Sequence, residues 1–257
     1  MIETEEKKKI TAEKRTLTNE TAGDLRDHEK DILSLVTTDD GSATIYNSRV
    51  GENYHSRHGA LQESRHVFIH SGLSYFIEKE LSNSVRILEV GFGTGLNFLL
   101  SADFCTERNI SLHYTGIETF PLSDSLIFAT GYEQYISPDI WDSFKSCYHR
   151  ALRQKTELNK ACELEIAVTA LEDFHPHEQY DVVYFDAFAA VHQPEMWTTE
   201  ALEHCTSGLT AGGVFVTYAI TGNLKRSMKA LGFVIEKVPG APGKREMLRA
   251  TKSPKDS

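Results

Sequence analysis

Nothing in the 257-residue chain approaches the run of about 18–20 apolar residues that crosses a bilayer. The opening residues, Met1-Ile2-Glu3-Thr4-Glu5-Glu6-Lys7, also lack the apolar stretch of a secretory signal, so a soluble, cytoplasmic protein with no membrane partner is expected. Cysteine is scarce. Cys105, Cys147, Cys162 and Cys205 lie far apart with no Cys-x-x-Cys pair, which argues for reduced thiols rather than disulfides or a zinc site. His55, His58, His66 and His70 crowd one segment, but their spacing implies no carboxylate-and-histidine geometry, so no metal is expected and hydrogen bonding is their expected use. Basic residues are outnumbered too. The net charge of −10 argues against a protein that binds nucleic acid over its whole surface.

The distribution of charge says more than the sum. From Asn223 onward nine basic residues stand against three acids, a balance of +6, which leaves −16 on the remainder. A basic C-terminal segment on an acidic body suits contact with a polyanion at one place. Lys252 and Lys255 read instead as part of a solvated tail, residues 252–257.

Residues 1–30 are rich in Glu, Lys, Thr and Asp without periodicity and read as a flexible extension. Residues 31–84 read as an N-terminal appendage. Ile32–Val36 and Ala43–Tyr46 are the arms of a β-hairpin turned at Asp39-Asp40-Gly41, and an apolar helix carries Val67, Phe68, Leu73, Phe76 and Ile77. Between them, residues 51–68 concentrate polar and aromatic groups in the manner of a binding segment.

From residue 85 to 251 strand-like and helix-like segments alternate. Strands are expected at 85–90, 112–117, 163–168, 181–186, 213–219, 232–237 and 246–250, seven in all, which predicts a mostly parallel, doubly wound α/β sheet with ligands at the carboxyl ends of its strands. The stretch from Pro121 to Lys160 is too long for a simple crossover, and Trp141, Phe144, Tyr148 and Leu152 at helical spacing predict inserted helix.

The chemistry concentrates at Arg86-Ile-Leu-Glu-Val-Gly-Phe-Gly-Thr-Gly-Leu-Asn97. An apolar strand breaks at Gly91, Gly93 and Gly95, where the backbone turns and a ligand can approach closely, and an apolar helix follows. The spacing is Gly-x-Gly-x-Gly, not the Gly-x-Gly-x-x-Gly of dinucleotide folds. Glu89, just before the turn, is poorly matched to a diphosphate and suits a positively charged ligand. S-adenosyl-L-methionine is such a ligand, and Glu118, at the end of the next strand, stands where a ribose diol would be gripped. An ordinary strand-to-helix turn is the competing reading. Asp186 closes Asp181-Val-Val-Tyr-Phe-Asp186 at the position where a transferred methyl should lie, and is the best catalytic candidate; the alternative for it is a helix cap or loop-closing acid.

Several segments together resemble the methyltransferase of the MnmC type, which makes 5-methylaminomethyl-uridine at the wobble position of certain transfer RNAs. They are Tyr54–Phe68, Leu88–Asn97, Asp186-Ala-Phe-Ala189, Pro194-Glu-Met-Trp197, Gly212-Gly213 and Pro242-Gly-Lys-Arg-Glu-Met-Leu248, between about residues 38 and 250. The resemblance implies a Rossmann-like, seven-stranded methyltransferase fold. It implies S-adenosyl-L-methionine held by Glu89, Gly91, Gly93, Gly95, Asn97, Glu118, Thr169, Ala170 and Asp186. It further implies an amine acceptor near Asp186, Tyr54 and Tyr218, with Glu63, Trp197, Arg226, Lys244 and Arg245 on the substrate and RNA side. Transfer RNA is the implied partner, with a functional link to the enzymes that make the aminomethyl precursor.

Two departures stand out. The family's Gly-Asp at the end of the third strand is replaced by Val168-Thr169-Ala170, which leaves the adenine contact open, and Ala190 stands where Pro usually follows Asp-Ala-Phe-Ala. Fused members carry a flavin-dependent oxidase; no second glycine fingerprint occurs before Ser257, so that activity is expected to be absent. A small-molecule amine N-methyltransferase and a non-catalytic binding protein are the alternatives. No Asn-Pro-Pro-Tyr or Pro-Cys motif supports methylation of adenine or cytosine.

Overall fold

The computed structural model describes residues 32–254; the expected extension over residues 1–30 lies outside them, as do residues 255–257. Eleven strands occur among the described residues: β1 (Leu33–Thr37), β2 (Ala43–Asn47), β3 (Glu52–Asn53), β4 (Ser84–Val90), β5 (Ser111–Glu118), β6 (Thr156–Asn159), β7 (Cys162–Val168), β8 (Tyr180–Phe185), β9 (Leu209–Thr217), β10 (Phe233–Pro239) and β11 (Glu246–Lys252). The helices are α1 (Ala60–Ser64), α2 (Tyr75–Glu80), α3 (Leu96–Glu107), α4 (Asp124–Phe128), α5 (Pro138–Ala151), α6 (Thr199–Thr206) and α7 (Gly222–Ala230), with a π-helical segment, Arg65–Ser74, joining α1 to α2.

The large sheet runs β10-β11-β9-β8-β4-β5-β7-β6. β4 pairs in parallel with β5 on one side and β8 on the other. Ile87, Leu88, Val182, Val183, Val214, Phe215 and Val216 are 0% exposed, the burial that strands covered on both faces require. From β4 the chain proceeds outward through β5 and β7, then returns to β8 on the opposite flank. The two directions diverge at the carboxyl ends of β4 and β8, which is where such sheets open a ligand crevice.

All seven expected strands are present, and β6 makes an eighth. It is a four-residue edge strand, antiparallel to β7, and its Thr-Glu-Leu-Asn sequence gives no apolar run to find; backbone pairing alone defines it. The expected hairpin is likewise a three-stranded sheet, because Glu52–Asn53 pairs with β2. The apolar helix is π-helical at its centre. Val67, Phe68, Ile69, Ser71, Gly72 and Leu73 are all buried there, since the segment packs on β8, β9 and β11 on one side and α3 on the other, and one narrow stripe does not serve two faces. Lys252 is not part of a solvated tail. It ends β11 and its Nζ donates to Thr206 O at 3.0 Å, the last carbonyl of α6, and to Leu209 O at 2.8 Å, at the start of β9.

The inserted stretch between β5 and β6 forms α4 and α5, with Trp141, Phe144 and Tyr148 buried as their spacing predicts. Appendage and sheet share one core: Ile45, Val67, Phe68 and Leu73 belong to the same apolar cluster as Phe98, Tyr114, Tyr184 and Val216. Asp40 ties the hairpin turn to α1 by accepting from Ser42 N and Gln62 N, both at 3.0 Å. That anchor holds the residue 51–57 segment over the crevice.

Candidate active site

The crevice has two halves. In the first, β4 delivers Glu89 and turns at Gly91, whose φ is +86° and whose missing Cβ would lie 2.6 Å from Asp186 O. Gly93 turns likewise, at φ +51°, with the Tyr54 ring 2.8 Å from the position of its missing Cβ. α3 then starts at Leu96 and points its N-terminus at the turn. Asn97, in its first turn, donates from Nδ2 to Glu89 Oε1 and to Asp186 Oδ2, both at 2.8 Å, and so bridges two carboxylates. Glu89 Oε2 and Asn97 Oδ1 are buried without a hydrogen-bond partner. Burial first, and then the Asp186 charge, push Glu89 well above the usual carboxylate range; the Asn97 amide and, outside hydrogen-bonding geometry, the Tyr114 hydroxyl oppose them. Glu118, at the end of β5, accepts from Gly93 N and Phe120 N, both at 3.0 Å. It too is raised by burial, with those backbone amides acting against the shift.

The second half is a cavity of about 380 Å³ under the appendage, walled by Tyr54, Phe188 and Tyr218 and by Glu52, Glu63 and Lys244. Asp186 follows β8, its N–H donating to Val90 O at 2.9 Å, so it stands beside the glycine turn where the halves meet. Its carboxyl is pushed up to about 8, first by burial and next by the Glu63 charge, with Asn97 and Lys244 pulling down and Glu52 pushing up. Tyr54 packs edge-on to Phe188 with ring centres 5.1 Å apart. The Tyr218 hydroxyl donates to Ala187 O at 2.9 Å, leaving its ring as the wall; Lys244 Nζ sits 3.7 Å from that ring's centre.

The other expected site residues divide by location. Thr169 and Ala170 lie just past β7, and Thr169 O accepts from Thr119 Oγ1 at 3.3 Å, which places them beside the Glu118 turn. Trp197 braces the loop after β8, its Nε1 donating to Phe188 O at 2.9 Å and its ring crossing Phe185 at 5.0 Å. Arg226, bonded to Asn223, lines a separate 770 Å³ cavity with Trp197, and Arg245 is exposed. Lys244 does not share that exposure: it turns into the 380 Å³ cavity and pairs with Glu63 at 2.7 Å.

Sequence reasoning missed Glu52, whose Oε2 accepts from Ala189 N at 2.9 Å and holds the Asp186 loop against β3. It also missed Phe188. Glu52 lies within the polar segment already marked as site-like, but nothing in its sequence neighbours pairs it with residue 189. Of the histidines, His55 bonds Thr44 Oγ1 at 3.0 Å, His58 meets Asp39 at 3.2 Å and His66 donates to Pro239 O at 2.7 Å. Among the described residues no group of three or more His, Cys, Asp or Glu is placed to hold a metal, and no helix is long and apolar enough to cross a membrane.

Comparison with known proteins bears on this geometry. Residues 134–253, which carry Asp186, Tyr218 and Lys244, match the model of a family described as S-adenosyl-L-methionine-dependent methyltransferase. Over those residues the chain is similar to S-adenosyl-L-methionine-dependent methyltransferases. It is 31% identical over 183 residues, 67% of its length, to the tRNA 5-methylaminomethyl-2-thiouridine biosynthesis bifunctional protein MnmC of Pseudomonas syringae pv. syringae (strain B728a). It is also 31% identical over 183 residues, 64% of its length, to the protein so named from Idiomarina loihiensis. These matches span 27% and 29% of the two relatives, so the chain corresponds to under a third of either. The crystal structure of MNMC2 from Aquifex aeolicus has the same fold, with a TM-score of 0.70 at 19% identity over 99% of this chain and 86% of that one.

The chain's own residues fit S-adenosyl-L-methionine. Two buried acceptors without partners, Glu89 Oε2 and Asn97 Oδ1, suit a positively charged amino group, and a cation there would relieve the crowding of Glu89 and Asp186. A diphosphate would aggravate it.

Proposed function

We propose that this chain methylates the primary amine of 5-aminomethyl-uridine, with or without the 2-thio group, at the wobble position of transfer RNA, giving the 5-methylaminomethyl nucleoside. The carrying observation is the acid-lined acceptor cavity, where Glu52 and Glu63 meet the Tyr54 and Tyr218 rings, with buried Asp186 next to the lining residue Ala187 and against the glycine turn, in a chain whose curated relatives are named for 5-methylaminomethyl-2-thiouridine biosynthesis. Acids and aromatic faces are what an amine acceptor requires.

In this reading Glu89 and Asn97 hold the amino group of S-adenosyl-L-methionine, Glu118 its ribose hydroxyls, and the backbone of Gly91, Gly93 and Gly95 its close side, with Thr169 and Ala170 at the adenine. The bound cofactor supplies an electrophilic methyl group. The chain's task is to present a neutral amine. Asp186 orients the amine and takes its proton: an N–H bond breaks, an O–H bond forms on the carboxylate, and the lone pair stays on nitrogen. Tyr54 and Tyr218 fix the amine's approach and exclude water. Arg226 and Arg245 bear on the RNA backbone, whose phosphates exposed guanidinium groups grip without regard to sequence. A separate reaction must first place the aminomethyl group on the uridine, and the setting is the cytoplasm.

The test is methyl transfer from labelled S-adenosyl-L-methionine to bulk transfer RNA that carries 5-aminomethyl-uridine, beside RNA that lacks it. Label confined to the modified RNA supports the reading. Equal transfer to free small amines would point to a small-molecule N-methyltransferase, and cofactor binding without transfer to any acceptor would point to a binding protein.

A further inference from the structure

Among the described residues, Lys244 is the one lysine of the basic C-terminal segment that lines the acceptor cavity. Its Nζ lies 2.7 Å from Glu63 Oε2 and 3.7 Å from the centre of the Tyr218 ring. Glu63 is itself 5% exposed, and its second oxygen accepts from Ser56 N at 3.1 Å. An ammonium clamped between a buried carboxylate and an aromatic face is unavailable to a phosphate unless both contacts break, and breaking them would strand a buried charge. We propose that Lys244, so clamped, is a positioning residue of the acceptor cavity: its fixed cation keeps the incoming amine from being stored as an ammonium, rather than gripping RNA.

This rests on the amine-methylation reading above. The reasoning is electrostatic. Asp186, Glu52 and Glu63 draw a substrate ammonium into the cavity, and acids alone would hold it there protonated and unreactive. A fixed cation among them disfavours a second cation and favours the Asp186 carboxylate, so both partners shift toward neutral amine and proton-accepting acid. Loss of the ammonium N–H to Asp186 then leaves the nucleophilic lone pair. The groups around Lys244 come from several elements: Glu63 from α1, Tyr218 after β9 and Asp186 after β8. Glu52 from β3 and His55 and Arg57 beyond it line the same cavity, and His58 packs against Gly243. Of these His55 is held down to about 4 by burial and stays neutral across the working range. Glu52 is occupied with Ala189 N. Glu63, in direct contact with Lys244, and Asp186, whose carboxylate Lys244 favours, are the acids whose charge Lys244 offsets most closely.

The experiment compares wild-type protein with Lys244→Met, Lys244→Arg and Glu63→Gln on transfer RNA carrying 5-aminomethyl-uridine, recording kcat and KM against pH and RNA affinity against salt. For Lys244→Met the expected result is a kcat at neutral pH lower by about tenfold, with the acid limb of the profile moved up by about one pH unit, the scale of one neighbouring charge. KM should hold or fall, and Lys244→Arg should restore the limb. Glu63→Gln should move the limb the opposite way, toward lower pH, which a merely loosened fold would not do. Unchanged S-adenosyl-L-methionine affinity certifies that Lys244→Met is folded. If Lys244→Met instead raises KM, keeps kcat and its pH limb, and lowers the salt slope of RNA binding by about one, Lys244 is a phosphate contact and the proposal falls. Absence of wild-type transfer to the modified RNA would overturn the amine reading and this assignment with it; wild-type transfer with an unmoved limb in Lys244→Met overturns this assignment alone.

Discussion

The cofactor half of the crevice and its acceptor half place their acids by different means. Glu89, Asn97 and Glu118 belong to one continuous strand–turn–helix–strand unit, β4 through β5, and the turn's glycines set their spacing. The acceptor side takes Glu52 from the small sheet, Glu63 from α1, Asp186 from the end of β8, Tyr218 from beyond β9 and Lys244 from the turn before β11; Glu63 and Lys244 stand 181 positions apart. A cofactor common to many reactions can be held by a local device. The acceptor has to be met by side chains that only a complete fold brings together, so this half is the one that can vary with substrate.

The hardest test of that division is Gly91→Ala, because the added Cβ strikes Asp186 O and so reaches both halves. Strain of about 1–3 kcal/mol at a positive φ adds to the clash, and calorimetry should show S-adenosyl-L-methionine binding abolished together with a lowered Tm. Next in size, Asp186→Asn should reduce kcat by about 10²- to 10⁴-fold, the range of a lost general base, while cofactor affinity stays within a few-fold. Equal losses in both would mean that the halves are one site.

The same residue links pH to stability. Asp186 is raised from the ordinary 3.8 to about 8, so between those values the folded protein holds a proton that the unfolded chain has lost. Stability contributed by this group is complete below about pH 4 and declines as pH rises toward 8. Thermal unfolding of the unliganded protein across that window should show a smaller decline in Asp186→Asn. Glu118→Gln should weaken cofactor binding by about 1.5–3 kcal/mol, as for a hydrogen bond to a charged group, with KM for RNA unmoved. Smallest of all, Arg245→Gln should lower the salt slope of RNA binding by about one and leave kcat alone.

Much of the cofactor half is legible in the chain. A buried strand, a glycine turn and an acid one strand later are local patterns, and the fold realises them as seven expected strands in a doubly wound sheet. The extra edge strand β6 was not legible, since a short polar strand is defined by backbone partners rather than by its own side chains. Nor was the third strand of the small sheet, two residues long. Lys252 shows the same limit: its charge and terminal position suggest solvent, yet the carbonyls of Thr206, ending α6, and Leu209, opening β9, claim it. Trp197, expected on the substrate side, lines the second cavity, and its indole N–H donates to Phe188 O, a partner its sequence neighbours do not indicate.

By itself, then, the order of residues determined the sheet, the turn that fits S-adenosyl-L-methionine and the acid that ends β8, because hydrophobic period, glycine conformation and strand-end position act over a few residues. Tertiary structure alone decided which acids surround the acceptor, that Lys244 points inward onto Glu63 and Tyr218, and that Asn97 joins Glu89 to Asp186. Charges interact through space, and their partners are set by burial and distance after the chain has folded.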